Sequence, residues 1–332
     1  MRTSRRLTAI AVLCLCCLGA PAAFADEGAG PGFTVGPAEL APEPGRPSVL
    51  TLPKAVVLGL IEGLTEFLPV SSTGHLAVAE RLLGIGRTPA EKRAADSYAI
   101  VIQGGAILAV LLVSLGRIRG MIRGLLGRDR DGLRLLMHLA IAFVPAAVIG
   151  LLLEPVRARL YGIWPVVGAW IVGGLIILLL VRERSAGVRI GAAAPASAGR
   201  ALESLTWRMS LAIGLAQAVA IWPGVSRSLA TIAAGLLLGL SVPASVEFSF
   251  LLGLLTLGAA TGYEAVKSGG EIVAAFGVFT PIVGFVVAAV SAFLAVRWMV
   301  SWLKTRSLSV FGWYRIGIGA LVAALTLFRL IR

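Results

Sequence analysis

Two polar segments that could do chemistry interrupt an otherwise strongly apolar chain. The first, at 59–75, reads GLIEGLTEFLPVSSTGH, and the second, at 214–228, reads GLAQAVAIWPGVSRS. In both, a glycine is followed three residues later by Glu62 or Gln217, and a serine follows nine residues after that, just past a proline. Because ionisable groups are costly inside a membrane, the segments indicate a functional site. Their repetition indicates a site between two repeats.

The first segment contains a pair of carboxylates. Glu62 and Glu66 are four residues apart, so they share one face of a helix. Two carboxylates enclosed in surroundings of low dielectric cannot both ionise easily unless a cation compensates. The pair predicts a general acid/base pair or a divalent-metal site. The alternative, an acidic face directed at solvent, is disfavoured by the apolar neighbours.

Hydroxyl groups and a histidine follow the carboxylates. Ser71, Ser72 and Thr73 stand where a second half-helix would begin, and hydroxyls there can cap it. The alternative is that a hydroxyl, Ser72 in our hypothesis, attacks phosphorus with His75 as general base. His138, the other histidine, lies in an apolar run and is interpreted as a packing or interfacial residue.

The second segment predicts an anion-binding site. Ser226, Arg227 and Ser228 open another half-helix, where backbone N–H groups, hydroxyls and a guanidinium suit a phosphate. Thr231 follows one turn later on the same face, and Gln217 replaces the glutamate of the first segment. An arginine that only neutralises the carboxylates is the alternative. The groups together favour phosphoryl hydrolysis of a substrate that arrives through lipid.

The composition predicts a polytopic membrane protein. The 332 residues are 58% hydrophobic and 14% charged, with mean hydropathy +0.91, whereas soluble domains contain about 25% charged residues. The net charge of +13 is interpreted as a topology signal, and no nucleic-acid partner is predicted, because no basic domain with interleaved aromatics lies outside the apolar spans.

The predicted fold class is all-α, with about six spans and two re-entrant helical hairpins. The hairpins, at about 53–84 and 205–241, contain a proline-marked break that requires burial in protein or a wet cavity. Tyr314 and three tryptophans around the last loop are interpreted as an interfacial aromatic belt, with ligand contact as the alternative. The spans are predicted at about 97–115, 133–153, 163–181, 244–263, 273–297 and 310–330.

Positive charge assigns the loops to the two sides of the membrane. Segments 116–134, 182–204 and 297–306 contain thirteen Lys and Arg, against six in the intervening loops, which predicts that these segments are cytoplasmic. An odd number of spans in each half then inverts the second repeat, about 205–330, relative to the first, about 53–181. The two hairpin tips should meet within the bilayer.

The N-terminal region is predicted to lie outside the membrane domain at 51–332. Residues 1–25 have the charged start, apolar stretch and small-residue cleavage site of a secretory signal, with an uncleaved anchor as the alternative. All three cysteines lie there, so a mature chain would have no thiol for disulfides or catalysis. Residues 26–50, rich in Gly, Pro and Ala, are predicted to be a flexible tail.

The two motifs also carry a family resemblance. EGLTEFLPVSSTGH (Glu62–His75) and PGVSRSLAT (Pro223–Thr231) closely resemble the signature segments of the bacterial undecaprenyl-diphosphatases, the bacitracin-resistance family. The resemblance runs from about residue 53 to the C-terminus; Leu229 departs from it, standing where the family usually has Gly. It implies hydrolysis of undecaprenyl diphosphate to undecaprenyl phosphate and inorganic phosphate, which recycles the lipid carrier for cell-wall synthesis. It also implies a bacterial plasma (inner) membrane location, with the site open to the outer, periplasmic side.

Residue roles follow from the matching positions. The resemblance implies a divalent cation, Mg²⁺ or Ca²⁺, which suits the carboxylate pair. Whether the nucleophile is a serine or water, the preferred prenyl length and homodimerisation are left open, and a transporter or flippase of isoprenoid phosphate lipids is the alternative function. The implied catalytic residues are Glu62, Glu66, Ser72, His75 and Arg227; the expected substrate-binding residues are Ser71, Thr73, Gln217, Ser226, Ser228 and Thr231; the metal ligands would be Glu62 and Glu66.

Overall fold

The computed structural model describes residues 50–86, 88–157, 162–186 and 199–331. The predicted signal segment and nearly all of the predicted tail lie outside these residues. Within them the chain is all-α, as expected, and contains eleven α-helices. The helices are α1 (Leu52–Thr65), α2 (Ser72–Leu82), α3 (Pro89–Val113), α4 (Leu115–Leu125), α5 (Arg130–Arg157), α6 (Ile163–Ala186), α7 (Trp207–Ala218), α8 (Arg227–Leu237), α9 (Val242–Phe276), α10 (Phe279–Trp302) and α11 (Ser309–Leu327).

Six of these helices are long and apolar enough to cross a membrane, which confirms the polytopic fold. They are α3, α5, α6, α9, α10 and α11. The predicted start of the fifth span, at about 273, was wrong: α9 continues to Phe276, and α10 begins at Phe279. Gly277, with φ of 65°, makes the break, because glycine adopts the left-handed conformation without steric cost. The segment 116–134, predicted as a loop, contains the short helix α4.

Each motif segment forms a hairpin of two short helices. In the first, α1 ends at Thr65 and α2 begins at Ser72; in the second, α7 ends at Ala218, and a single 3₁₀ turn precedes α8 at Arg227. The residues just before α2 and α8 have positive φ: 72° at Ser71 and 74° at Ser226. This conformation, rare outside glycine, redirects the chain in the same way in both hairpins.

Each hairpin packs against the opposite half of the chain. Helix α1 packs on α10 of the second half, and α7 packs on α5 of the first half. Glycines allow the close approach: a Cβ added at Gly59 would lie 2.7 Å from the Gly284 carbonyl oxygen, and one added at Gly214 would lie 2.2 Å from that of Ala142. Helices α3 and α9, the first spans of the two halves, also pack on each other, as do the last spans, α6 and α11. These matched pairings are consistent with the predicted inverted repeat.

The two breaks lie in the interior of the helix assembly. Phe67 and Val70, from the first break, belong to the same buried cluster as Leu229 and Ile232 of α8. Phe67 also makes an edge-to-face contact with Phe250 of α9, with the ring centroids 5.7 Å apart. Apolar packing therefore draws the two breaks together and positions the polar side chains beside them.

Candidate active site

A salt bridge joins the two hairpins at their breaks. Arg227 Nη2, at the start of α8, lies 3.3 Å from Glu66 Oε1, and the two side chains are only 12% and 7% exposed. Arg227 is held in place by a hydrogen bond from Nη1 to the Ser249 carbonyl at 3.1 Å and by the Phe67 ring, 5.4 Å from the guanidinium carbon. The predicted meeting of the two tips is therefore present in the structure.

Ser72 and both predicted carboxylates lie at the same place. The Ser72 hydroxyl donates a short hydrogen bond to Glu66 Oε2. Glu62 is 2% exposed, and its backbone carbonyl accepts the Glu66 N–H at 2.9 Å, so it lies one helical turn before Glu66. Because the acceptor of the Ser72 hydroxyl is a carboxylate, Glu66 is placed to take its proton. We had expected His75 to be that base.

His75 faces a different partner. Its Nδ1 lies 2.6 Å from the Ser71 carbonyl oxygen, and its Nε2 lies 2.8 Å from the Tyr314 hydroxyl. Two aromatic rings neighbour it: Trp170, at a centroid distance of 4.8 Å, and Tyr314, at 5.7 Å. Both ring nitrogens are thus engaged away from the Ser72–Glu66 pair.

Two predicted substrate-binding serines serve as helix caps. Ser71 Oγ accepts a hydrogen bond from the Gly74 N–H at 3.4 Å, and Ser226 Oγ accepts one from the Leu229 N–H at 3.2 Å. The capping alternative is therefore observed at these two positions. Leu229, the departure from the family pattern, is helical and 5% exposed, so the larger side chain is accommodated in the core.

The neighbouring hydroxyls extend this matched arrangement. Thr73 Oγ1 lies 3.1 Å from Ser71 Oγ, and Ser228 Oγ lies 2.9 Å from Ser226 Oγ. Ser228 also donates to the Leu68 carbonyl of the first break at 2.8 Å. Thr73 is exposed, whereas Ser228 is fully buried. The buried hydrogen bond from Ser228 to Leu68 links the two hairpins.

Thr231 and Gln217 differ in how their polar atoms are satisfied. Thr231 Oγ1 lies 2.7 Å from Ser249 Oγ and 3.0 Å from the Arg227 carbonyl. Gln217 is 5% exposed, and its Oε1 has no hydrogen-bond partner in the part of the chain that the structure describes; neither has Arg227 Nε. Buried polar atoms normally have partners, so these two atoms are candidates to bind a ligand.

Both oxygens of Glu66 already have partners within the protein. Glu66 uses one oxygen for Arg227 and the other for Ser72, and the guanidinium already supplies positive charge. Among the described residues, no group of three or more His, Cys, Asp or Glu could hold a metal ion. A dependence on Mg²⁺ or Ca²⁺ thus stays a prediction, and no step of the mechanism below is routed through a metal.

An arginine that the sequence analysis missed holds both breaks. Arg315 of α11 is fully buried. Its guanidinium donates to the Pro69 carbonyl at 3.2 Å, to the Gly224 carbonyl at 2.9 Å and to the Ala169 carbonyl of α6 at 2.7 Å. An arginine inside a predicted span is a recognisable signal. Tyr314, assigned to the interfacial belt, was likewise missed as the partner of His75.

A polar cavity of about 320 Å³ lies at the arginine-rich end of α4 and α5. Its arginines are paired: Arg117 with Glu203, and Arg123 with Asp129. His138 lines this cavity and contacts Ser210 Oγ at 2.9 Å, so it has polar company that the sequence did not suggest.

Comparison with known proteins shows the family of this chain. The family described as bacitracin resistance protein BacA matches residues 55–321. The chain is 45% identical over 272 residues to the undecaprenyl-diphosphatase of Sorangium cellulosum, covering 81% of this chain and 84% of the relative. It is 42% identical over 277 residues to undecaprenyl-diphosphatase 2 of Rhodospirillum rubrum, covering 83% and 95%. The family match at 55–321 includes both hairpin breaks, and the chain belongs to the bacitracin resistance protein BacA family.

Proposed function

We propose that this protein hydrolyses undecaprenyl diphosphate to undecaprenyl phosphate and inorganic phosphate. The relatives carry the name of that activity. The observation that carries the proposal is the contact of Ser72, Glu66 and Arg227 at two helix breaks within a membrane domain. A nucleophile, its base and a cation at one point are the minimum for phosphoryl transfer.

The diphosphate is held by positive charge and N–H donors from both hairpins. Helices α2 and α8 begin at Ser72 and Arg227, and the first turn of a helix presents unpaired N–H groups and a positive dipole end to an anion. The unpartnered Arg227 Nε and Gln217 Oε1 add a donor and an acceptor. The acceptor suits a protonated phosphate oxygen, since an amide oxygen cannot donate.

The first chemical step transfers the terminal phosphoryl group to Ser72. Its oxygen bonds to the terminal phosphorus, the bridging P–O bond breaks, undecaprenyl phosphate leaves, and the hydroxyl proton passes to Glu66 Oε2. Arg227 stabilises the charge that develops on the transferring phosphoryl oxygens. A phosphate that draws Arg227 away from Glu66 also leaves this carboxylate more basic, because the compensating cation has moved.

The second step returns the enzyme to its starting state. A water attacks the phosphoserine, inorganic phosphate leaves, and Ser72 regains a proton. Glu66 and His75 are the groups near enough to the start of α2 to exchange these protons. Direct attack by an activated water is the competing pathway, and it would use the same groups without a covalent intermediate.

The site is proposed to open to the outer side of the bacterial inner membrane, where the spent carrier appears. The support is the distribution of Lys and Arg along the sequence, thirteen against six, together with the positive-inside bias. The lipid tail would remain in the bilayer between spans while the headgroup reaches the two hairpin breaks. Recycling the carrier in this way would sustain cell-wall synthesis.

The test is phosphate release by the purified protein in detergent from a C15 or C55 prenyl diphosphate. We expect release by the unmodified protein and by Glu203→Gln, which alters an exposed carboxylate paired with Arg117. We expect none from Glu66→Gln or Arg227→Ala. Intact substrate with proton-coupled uptake into vesicles would instead identify a transporter.

A further inference from the structure

The hydrogen bonds of His75 fix its tautomer. The Ser71 carbonyl oxygen, 2.6 Å from Nδ1, can only accept, so Nδ1 carries a proton. In the neutral ring the lone pair is therefore on Nε2, and the Tyr314 hydroxyl, 2.8 Å away, is the donor to it. The Ser71 carbonyl thus leaves Nε2 as the basic nitrogen of the ring, and the phenol of Tyr314 from α11 is hydrogen-bonded to it.

Two aromatic side chains also contact the His75 ring. Tyr314 stacks on it, with 11° between the planes, and Trp170 contacts it from α6 at 58°. Trp170 is itself fixed by a hydrogen bond from Nε1 to the Val70 carbonyl at 2.9 Å. A Cβ added at Gly74 would lie 2.7 Å from Trp170, so the fit around the tryptophan requires glycine.

The backbone next to Tyr314 is anchored. Its neighbour Arg315 is fully buried and binds carbonyls of both breaks, at Pro69 and Gly224. The phenol consequently has a fixed position relative to the start of α2. Tyr314 itself is 45% exposed. Removing its hydroxyl should therefore disturb the buried core little.

We propose that Tyr314 is a positioning residue that acts through His75. Its hydroxyl donates to the Nε2 lone pair of His75 and holds the ring in one orientation. When water attacks the phosphoserine, the water proton passes to the phenol oxygen while the phenol proton passes to Nε2. Because a phenol both donates and accepts, it remains bonded to the imidazole after the ring is protonated. This inference rests on the proposed phosphatase function.

The test is a double-mutant cycle on kcat for prenyl diphosphate hydrolysis, with Tyr314→Phe, His75→Asn and the double variant. Phenylalanine keeps the stacking and removes only the hydroxyl. We expect Tyr314→Phe to lower kcat about tenfold, the size of one functional hydrogen bond, with KM within about twofold. In the His75→Asn background the same change should have no further effect.

A spectroscopic measurement covers the case in which His75→Asn leaves no rate to measure. The chain has two histidines, so ¹⁵N-histidine labelling gives two resolvable rings, and the signals lost in His75→Asn identify His75. We expect a protonated Nδ1 and a bare Nε2 in the unmodified protein, and a changed Nε2 shift in Tyr314→Phe. Tyr263→Phe, at a 69% exposed position of α9, is the control for both measurements and should behave like the unmodified protein.

Three results would overturn the inference: an unchanged kcat in Tyr314→Phe, an equal loss in both backgrounds, or a protonated Nε2 in neutral His75. Failure of the proposed function is distinguishable, because the unmodified protein would then release no phosphate at all, whatever the state of Tyr314.

Discussion

Arg227 and Glu66 form a buried ion pair, 3.3 Å apart, across 161 positions of the chain. Removing one partner from such a pair leaves an uncompensated charge in the core, which is strongly destabilising. The contact therefore makes each hairpin depend on the other. It also places a guanidinium beside the carboxylate that holds the Ser72 hydroxyl, so the ion pair that joins the two halves is at the same time the centre of the proposed chemistry.

Replacement of the proposed nucleophile should abolish turnover. We expect Ser72→Ala to lower kcat at least about a thousandfold, because without the hydroxyl no phosphoenzyme can form. Rapid quenching of the unmodified protein with labelled substrate should trap phosphoserine at position 72. Ser71→Ala, which removes a cap from the same helix, serves as the control and should cost about 1 kcal/mol of stability. Near-normal turnover by Ser72→Ala would favour the water pathway instead.

The space around Arg227 offers a test on a different helix. A Cβ added at Gly253 of α9 would lie 2.3 Å from Arg227 Nη1, whereas one added at Gly258 meets nothing within 4 Å. We expect Gly253→Ala to displace the guanidinium and lower kcat/KM at least about tenfold, since phosphate contacts need close geometry. Gly258→Ala should match the unmodified protein. Equal activity of the two variants would show that Arg227 tolerates displacement.

Arg315 should be required for stability as well as for activity. Its removal leaves the carbonyls at both breaks without donors, and unsatisfied buried groups cost about 1–3 kcal/mol each. We expect Arg315→Met to lower the melting temperature sharply and to abolish phosphate release, and Arg315→Lys to be intermediate. The control is Arg119→Gln on the exposed face of α4. An Arg315→Met protein with normal melting and turnover would contradict the role assigned to this residue.

Binding of metal to the protein alone should be weak. Because both Glu66 oxygens already have partners, we expect isothermal titration of the substrate-free protein with Mg²⁺ or Ca²⁺ to give no stoichiometric binding at micromolar concentrations. Glu62→Gln should titrate in the same way. Tight one-to-one binding that is lost in Glu62→Gln would contradict this expectation and would establish a metal site at the carboxylate pair.

The sequence predicted the local features of this site well, because local chemistry sets them. Proline and serine at the breaks, with apolar runs on either side, were enough to locate the two hairpins, and the hydroxyls at their second helices were recognisable as caps. The recurrence of glycine, Glu62 or Gln217 and serine at equal spacing predicted that the two tips would meet, as the structure confirms.

Features that depend on packing between distant helices were not predictable in the same way. Tyr314 and Arg315 lie in the last span, far along the chain from the hairpins, and nothing in their own neighbourhood indicates that α11 packs on α6 beside both breaks. The sequence predicted His75 as the partner of Ser72, whereas the structure shows Glu66 in that place. The difference depends on the direction of the side chains, which sequence spacing does not determine. The α9–α10 boundary was misplaced because both flanks of Gly277 are apolar.

The most direct measurement of the central claim is phosphate release from undecaprenyl diphosphate by Glu66→Gln, Arg227→Gln and the double variant, each shown to be folded. If the two hairpins form one site, each single change should lower kcat/KM at least about a thousandfold, and the double change should be little worse than either, because the residues act as a unit. Release near the unmodified rate by either folded single variant would contradict the account.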